Sequence, residues 1–237
     1  MTARLKSLRD ELYEHLPYTV LSVAAGLAFL GTLTFLAIAA SPEAPGGHEP
    51  GVLNPRFGRA AGAVFHVFHP LHALLSAVAT VAMFWRHERR WLKAIIVGLL
   101  GSVGFCSVSD IFLPYLAGLL LGAKDMEMHI CIIRHPTMIA PFLIVGVLLG
   151  LLLPSSTHKS TIFSHSAHVL ISSVASIMYL VAFGLTNWVE VVGMIFVYMV
   201  FAVMFPCCIS DILFPLLLTG ERAGPLAQAP GGKQNPD

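Results

Sequence analysis

Charged residues are scarce in this chain of 237 residues, at 11% against about 25% in an ordinary soluble domain. Hydrophobic residues make up 56%, and the mean hydropathy is +0.78. So few charges do not cover a water-facing surface, and the apolar residues fall into continuous runs of about twenty or more. The composition therefore excludes an ordinary soluble domain and predicts an integral membrane protein.

Two further shortages narrow the class of protein. Four cysteines are too few for a disulfide-stapled secreted module, and a formal net charge of +1 excludes nucleic-acid binding. Histidine is abundant by contrast, since eleven histidines stand beside only thirteen acids. In a membrane protein such residues need an explanation.

Six segments have the length and apolarity of a membrane-spanning helix, and their continuous runs lack the alternation of a β-barrel. They are 18–40, 60–85, 94–122, 136–153, 161–185 and 191–219. With a cytoplasmic amino terminus, ten Lys and Arg lie inside and four outside. The positive-inside rule therefore predicts a protein of the cell membrane with both termini in the cytoplasm. The segment 220–237 is predicted to be a disordered cytoplasmic tail.

Two stretches of the first half of the chain recur in the second. HPLHALLSAVA from position 69 pairs with HSAHVLISSVA from 165, and CSVSDIFLPYL from 106 pairs with CCISDILFPLL from 207. Each pair has six identities in eleven positions, which include residues that are costly in lipid. A thinner match aligns His15 and Gly26 with His135 and Gly146. We infer that 1–122 and 128–219 are repeats of three spans each. Because three is an odd number, the second repeat enters the membrane from the opposite side. The predicted fold class is therefore all-α, with six transmembrane helices in a 3+3 inverted-topology repeat.

The third and sixth spans share an unusual pattern. Each is 29 residues long, about 43 Å of helix, which exceeds an upright crossing. Asp110 precedes Pro114 by four residues, and Asp211 precedes Pro215 in the same way. The pattern predicts broken or kinked helices whose freed backbone groups line a site. A long tilted helix with an ordinary membrane proline is the alternative.

Histidines three residues apart lie on one face of a helix and can direct two imidazoles at one point, and an aspartate from the next helix adds an anionic ligand. We therefore predict two metal sites stacked across the membrane. The first contains His69, His72, Asp110 and His135, and the second contains His165, His168, Asp211 and His15. Accessory ligands are Cys106, Cys207, His66 and His129. The alternative is that these groups form hydrogen bonds that fix helix packing, or lie at the membrane interface.

The function that fits this pattern is a transporter or channel for a divalent transition-metal ion, with Zn, Fe, Mn, Co and Ni not distinguished. Proton coupling is a corollary, since imidazole binds metal only when neutral. The metal ion and the lipid bilayer are the expected partners, with homo-oligomers an open option. The alternatives are a membrane metalloenzyme of the zinc hydrolase or di-iron type, and a di-haem electron carrier. Catalytic residues are not assigned, and a transporter is favoured over an enzyme because no acid or nucleophile breaks the symmetry of the two halves.

Overall fold

The structure is a computed structural model that describes residues 2–40, 55–152 and 158–219. Within these three segments every regular element is helical and none is a strand, which confirms the all-α prediction. The predicted tail at 220–237 lies outside the described residues. The α-helices are α1 (Thr2–Ala39), α2 (Pro55–His87), α3 (Trp91–Ser107), α4 (Leu113–Leu120), α5 (Cys131–Arg134), α6 (Pro136–Leu152), α7 (His158–Ala182), α8 (Val192–Cys208) and α9 (Phe214–Leu218). Two π-helical segments connect α3 to α4 and α8 to α9, namely π1 (Val108–Phe112) and π2 (Ile209–Leu213).

Four helical stretches are long and apolar enough to cross a bilayer. They are His15–Ala39, Phe57–His87, Trp91–Leu120 and Val192–Leu218. The two remaining predicted spans correspond to shorter apolar helices, Pro136–Leu152 and Ser166–Ala182. The chain therefore has the helices of a membrane protein, and the count of six crossings stays a prediction.

The outward faces of the helices are apolar. Leu21, Leu100, Leu148 and Leu217 lie on four different helices, and each is more than half exposed. Five of the predicted ligands lie in the interior instead, namely His69, His72, His168, Asp110 and Asp211, with Asp110 fully buried. Large exposed apolar surface is suited to contact with lipid chains rather than with water.

The two π-helical segments occur where the sequence predicts broken or kinked helices. The backbone stays helical there, and a single wide turn takes the place of a break. The N–H of Leu113 bonds to the carbonyl of Val108, and the N–H of Phe214 bonds to the carbonyl of Ile209. Each bond spans five residues, as in a π-turn. The wide turn accommodates the following proline, which has no N–H to offer the preceding turn.

Helix α2 lies at the centre of the bundle, where it packs against α3, α6 and α7. Helix α7 packs in turn against α1 and π1. The contact between α2 and α6 depends on Gly146, because a Cβ atom at this position would lie 2.6 Å from the carbonyl oxygen of Leu74 and 2.9 Å from the Cβ of Ala77. Small residues at such crossings let membrane helices approach closely.

We predict that Gly146→Ala lowers the free energy of unfolding by about 1–3 kcal/mol, because the added methyl group meets the backbone of α2. The matched control is Gly104→Ala on α3, where an added Cβ has no atom within 4 Å. The control is expected to stabilise the helix by up to about 1 kcal/mol. Thermal unfolding in detergent micelles measures both variants, and equal effects at the two positions would contradict this packing.

Candidate metal centre

The interior of the bundle brings one histidine of each predicted repeat into contact. His72 on α2 and His168 on α7 are both about 1% exposed. Their Nε2 atoms lie 2.7 Å apart, and their ring centroids lie 4.5 Å apart with the rings nearly perpendicular. The two equivalent residues therefore meet head to head at the α2–α7 contact.

Each of these rings is held from behind by a carboxylate. Asp110 in π1 accepts hydrogen bonds on its Oδ2 atom from Nδ1 of His72 at 2.7 Å and from Nδ1 of His69 at 2.9 Å. Asp211 in π2 lies in the equivalent position, with its Oδ2 atom 3.0 Å from Nδ1 of His168. Both carboxylates come from the π-helical turns, so each turn places one acid behind one imidazole of the pair.

The carboxylates determine which ring nitrogen carries the hydrogen. An ionised carboxylate only accepts, so Nδ1 of His72 and Nδ1 of His168 donate. In a neutral imidazole the Nε2 atom is then left with a lone pair. Two lone pairs at 2.7 Å repel each other unless a cation lies between them. The arrangement can therefore hold a cation, either a proton shared between the rings or a metal ion.

Hydroxyl groups complete the surroundings of Asp110. Its Oδ1 atom accepts hydrogen bonds from Ser109 at 2.8 Å and from Ser172 at 2.9 Å. The hydroxyl of Ser176 lies 3.4 Å away, but the carbonyl oxygen of Ser172, at 2.8 Å, is a nearer acceptor for its one hydrogen. Ser109, Ser172 and the two imidazoles thus offer four donors to one fully buried residue. Such an environment favours the ionised carboxylate, since a buried charge is tolerated only where hydrogen bonds replace water.

Cys207 on α8 adds a sulfur atom to the pair of imidazoles. Its Sγ atom lies 3.8 Å from Nε2 of His72, and the donor atoms of His72, His168 and Cys207 all lie within 4.8 Å of one another. Sulfur and imidazole together favour borderline ions such as Zn²⁺. Cys106, the equivalent residue on α3, borders a small cavity beside His69 and is not part of this group.

A second group of histidines lies toward the start of α2. The Nε2 atoms of His66 and His129 are 3.1 Å apart, and Cys131 lies within 4.8 Å of both. His135, which is exposed, has its ring centroid 5.2 Å from that of His66 and 5.3 Å from that of His129. Burial, followed by the nearby His66 and His135, lowers the pKa of His129, and burial raises the pKa of Cys131 to about 12.

The predicted ligands are therefore regrouped. His69, His72 and Asp110 lie together as expected, but His168 and Asp211 join them rather than forming a distant second site. His135, predicted to join His72, lies instead with His66 and His129 because the segment before α5 passes over the end of α7. His15 lies on α1, where its carbonyl accepts a hydrogen bond from Thr19. The side chain of His165 lies outside the described residues.

Sequence reasoning missed two residues near these groups. Ser176 places its hydroxyl 3.4 Å from Oδ1 of Asp110, and the hydroxyl of Tyr179 accepts a hydrogen bond from the backbone N–H of His129. A signal for the serine was present, since Ser172 and Ser176 are four residues apart and recur on one face of an apolar helix. Comparison with known proteins finds no matching family model, curated sequence or solved structure. The described residues form an apolar helical bundle with buried His, Asp and Cys groups that could hold a metal ion.

We predict that Ser172→Ala lowers the free energy of unfolding by about 1.5–3 kcal/mol, because a hydrogen bond to a buried charge is lost. Ser173→Ala is the matched control, since Ser173 is equally buried but donates to the carbonyl of Val169 in its own helix. We expect the control to cost less than about 1 kcal/mol. Chemical unfolding in detergent compares the two, and a larger loss for Ser173→Ala would contradict the role given to Ser172.

Proposed function

We propose that this protein transports a divalent transition-metal ion across a membrane through the site formed by His72, His168 and Cys207. The observation that carries the proposal is the pair of Nε2 atoms that face each other at 2.7 Å, each ring backed by a carboxylate on Nδ1. Histidines that bind metal usually donate their other ring N–H to a carboxylate or carbonyl oxygen in this way.

The distances fit a metal ion after a small adjustment. Two imidazoles that bind Zn²⁺ tetrahedrally at about 2.0–2.1 Å have their nitrogen atoms roughly 3.3 Å apart. The rings of His72 and His168 would therefore separate by about 0.6 Å. Cys207 supplies a third donor, and a fourth position remains for water or for the next ligand along the path. A site with an incomplete set of protein ligands releases its ion more readily than a closed structural site.

Charge supports a divalent ion rather than an organic substrate. Asp110 and Asp211 place two carboxylates behind the imidazoles, which offsets the charge of a dication in a low-dielectric interior. Both rings are almost fully buried. Within the described part of the chain the centre thus suits a dehydrated ion, and this favours a transporter over the metalloenzyme that the sequence also allows.

The proposed 3+3 inverted repeat explains why the two halves meet at this site. Transporters with such repeats bind their substrate at the interface between the repeats, near the middle of the membrane. His72 and His168 are equivalent in the two halves, as are Asp110 and Asp211. The packing has the same symmetry, because the first span of each proposed repeat packs on the other repeat. Helix α1 packs on α7 and α8, and α6 packs on α2 and α3.

The first and fourth spans add a further correspondence. Gly26 on α1 faces α7, where an added Cβ would lie 2.8 Å from Cδ1 of Ile177. Gly146, its predicted equivalent, faces α2 in the same manner.

Movement of one repeat against the other would expose the centre to each side in turn, with both termini in the cytoplasm.

We predict that purified protein in liposomes takes up Zn²⁺ and that His168→Ala and Cys207→Ser each reduce the initial rate at least about tenfold, since both remove a ligand. The controls are His87→Ala, a histidine of α2 that is exposed, and Cys208→Ser, the neighbour of Cys207. We expect both controls to transport at the wild-type rate. Equal rates for all four variants would rule out this centre as the ion path.

A separate prediction concerns the carboxylate behind His168. Asp211→Asn leaves every proposed ligand in place but removes the charge that orients the ring, so we expect the affinity for Zn²⁺ to fall about 10–100-fold. Asp125→Asn, on the exposed loop before α5, is the control with the same change of charge. Competition with a fluorescent zinc chelator measures the affinity, and an unchanged value for Asp211→Asn would contradict the orienting role.

A further inference from the structure

The second histidine group stands apart from the proposed transport centre. His66 precedes His72 by six residues on α2, which corresponds to about 9 Å along the helix axis. His129 and Cys131 reach it from the segment between α4 and α6. The proposed transport centre does not use these residues, although three side chains of metal-binding types, two imidazoles and a thiol, converge here.

The ring of His66 is oriented as a metal ligand would be. Its Nδ1 atom donates a hydrogen bond to the carbonyl of Gly62 at 2.7 Å. The Nε2 atom of a neutral ring therefore has a lone pair, and it faces Nε2 of His129 at 3.1 Å. This separation is within about 0.3 Å of the value for two imidazoles on one tetrahedral zinc ion.

His129 is held in place by contacts with the end of α7. Its backbone N–H donates to the hydroxyl of Tyr179 at 2.9 Å, and that hydroxyl donates to the carbonyl of Glu127 at 3.0 Å. The N–H of Glu127 bonds to the carbonyl of Phe183 at 2.8 Å. The imidazole also stacks on the ring of Phe183, with centroids 4.8 Å apart. These contacts fix the ligand before an ion arrives, which lowers the entropic cost of binding.

The group has a buried side and an exposed side. Cys131 is fully buried, and its Sγ atom lies within 4.8 Å of the donor nitrogens of His66 and His129. His135 is exposed and its ring lies against both imidazoles. An ion that enters from solvent would therefore meet His135 first and the other three donors next.

We propose that His66, His129 and Cys131 form a second binding site for a divalent transition-metal ion, with His135 as the donor on its solvent side. This inference rests on the proposed function, because the second site would pass its ion to the transport centre. His66, His69 and His72 stand at successive steps of about 4.5 Å along one face of α2. The Nδ1 atom of His69 donates a hydrogen bond to Asp110. Its Nε2 atom is therefore available to bind an ion that passes between the two sites.

The test is a count of ions bound by the purified full-length protein in detergent, by equilibrium dialysis against Zn²⁺. Wild type is expected to bind two ions per chain. His129→Ala and His168→Ala should each bind one, because each removes a ligand from a different site. His87→Ala on the same helix as His66 is the control and should bind two.

The outcomes separate this inference from the proposed function. If wild type binds one ion and only His168→Ala removes it, the loading site is wrong while the transport centre stands. If only His129→Ala removes the single ion, the loading site stands and the transport centre is wrong. If neither substitution reduces the count, both are wrong.

Two milder variants keep the inference testable if His129→Ala fails to fold. His135→Ala changes an exposed side chain and is expected to weaken the peripheral ion about tenfold while the central ion is unchanged. In a His168→Ala, Cys207→Ser background, which removes the central thiol, Co²⁺ should give a thiolate-to-metal absorption band that Cys131→Ser abolishes. A His135→Ala protein with wild-type affinities, or a band that survives Cys131→Ser, would overturn the site.

Discussion

Two imidazole lone pairs that face each other inside an apolar bundle need a cation between them, and much of the described structure serves this requirement. The Nε2 atoms of His72 and His168 are 2.7 Å apart because α2 and α7 pack side by side. Each ring presents its lone pair inward because a carboxylate holds Nδ1 from the other side. In a low-dielectric interior a positive charge between the rings stabilises this arrangement, whether a shared proton or a metal ion supplies it.

The supporting elements follow from this constraint. A carboxylate in the bundle interior must be surrounded by donors, and π1 turns Asp110 toward two imidazoles while serines from α7 approach its other oxygen. The close contacts of α2 and α7 with their neighbours rely on glycines rather than on large side chains. The apolar outer faces allow lipid to surround the helices, so that the polar groups are confined to the interior.

Much of the central site could be predicted because its signals are local. The spacing of His69 and His72 places both on one helix face, and Asp110 and Asp211 are the rare charges in long apolar runs. The meeting of His72 with His168 could not be predicted, since it depends on which helices pack together and periodicity does not encode that choice. The two π-turns lie where broken or kinked helices are predicted, and their type could not be predicted because a proline pattern does not distinguish a break, a kink and a wide turn. The place of His135 beside His66 and His129 could not be predicted either, because the irregular segment before α5 has no period from which to infer its course.

The central claim is that one metal ion binds between His72 and His168. Crystals of the protein grown with Zn²⁺, with diffraction data collected on both sides of the zinc absorption edge, test it directly. The account predicts an anomalous peak about 2.0–2.1 Å from both Nε2 atoms and about 2.3 Å from Sγ of Cys207. A map with peaks elsewhere and none between these two rings would contradict it.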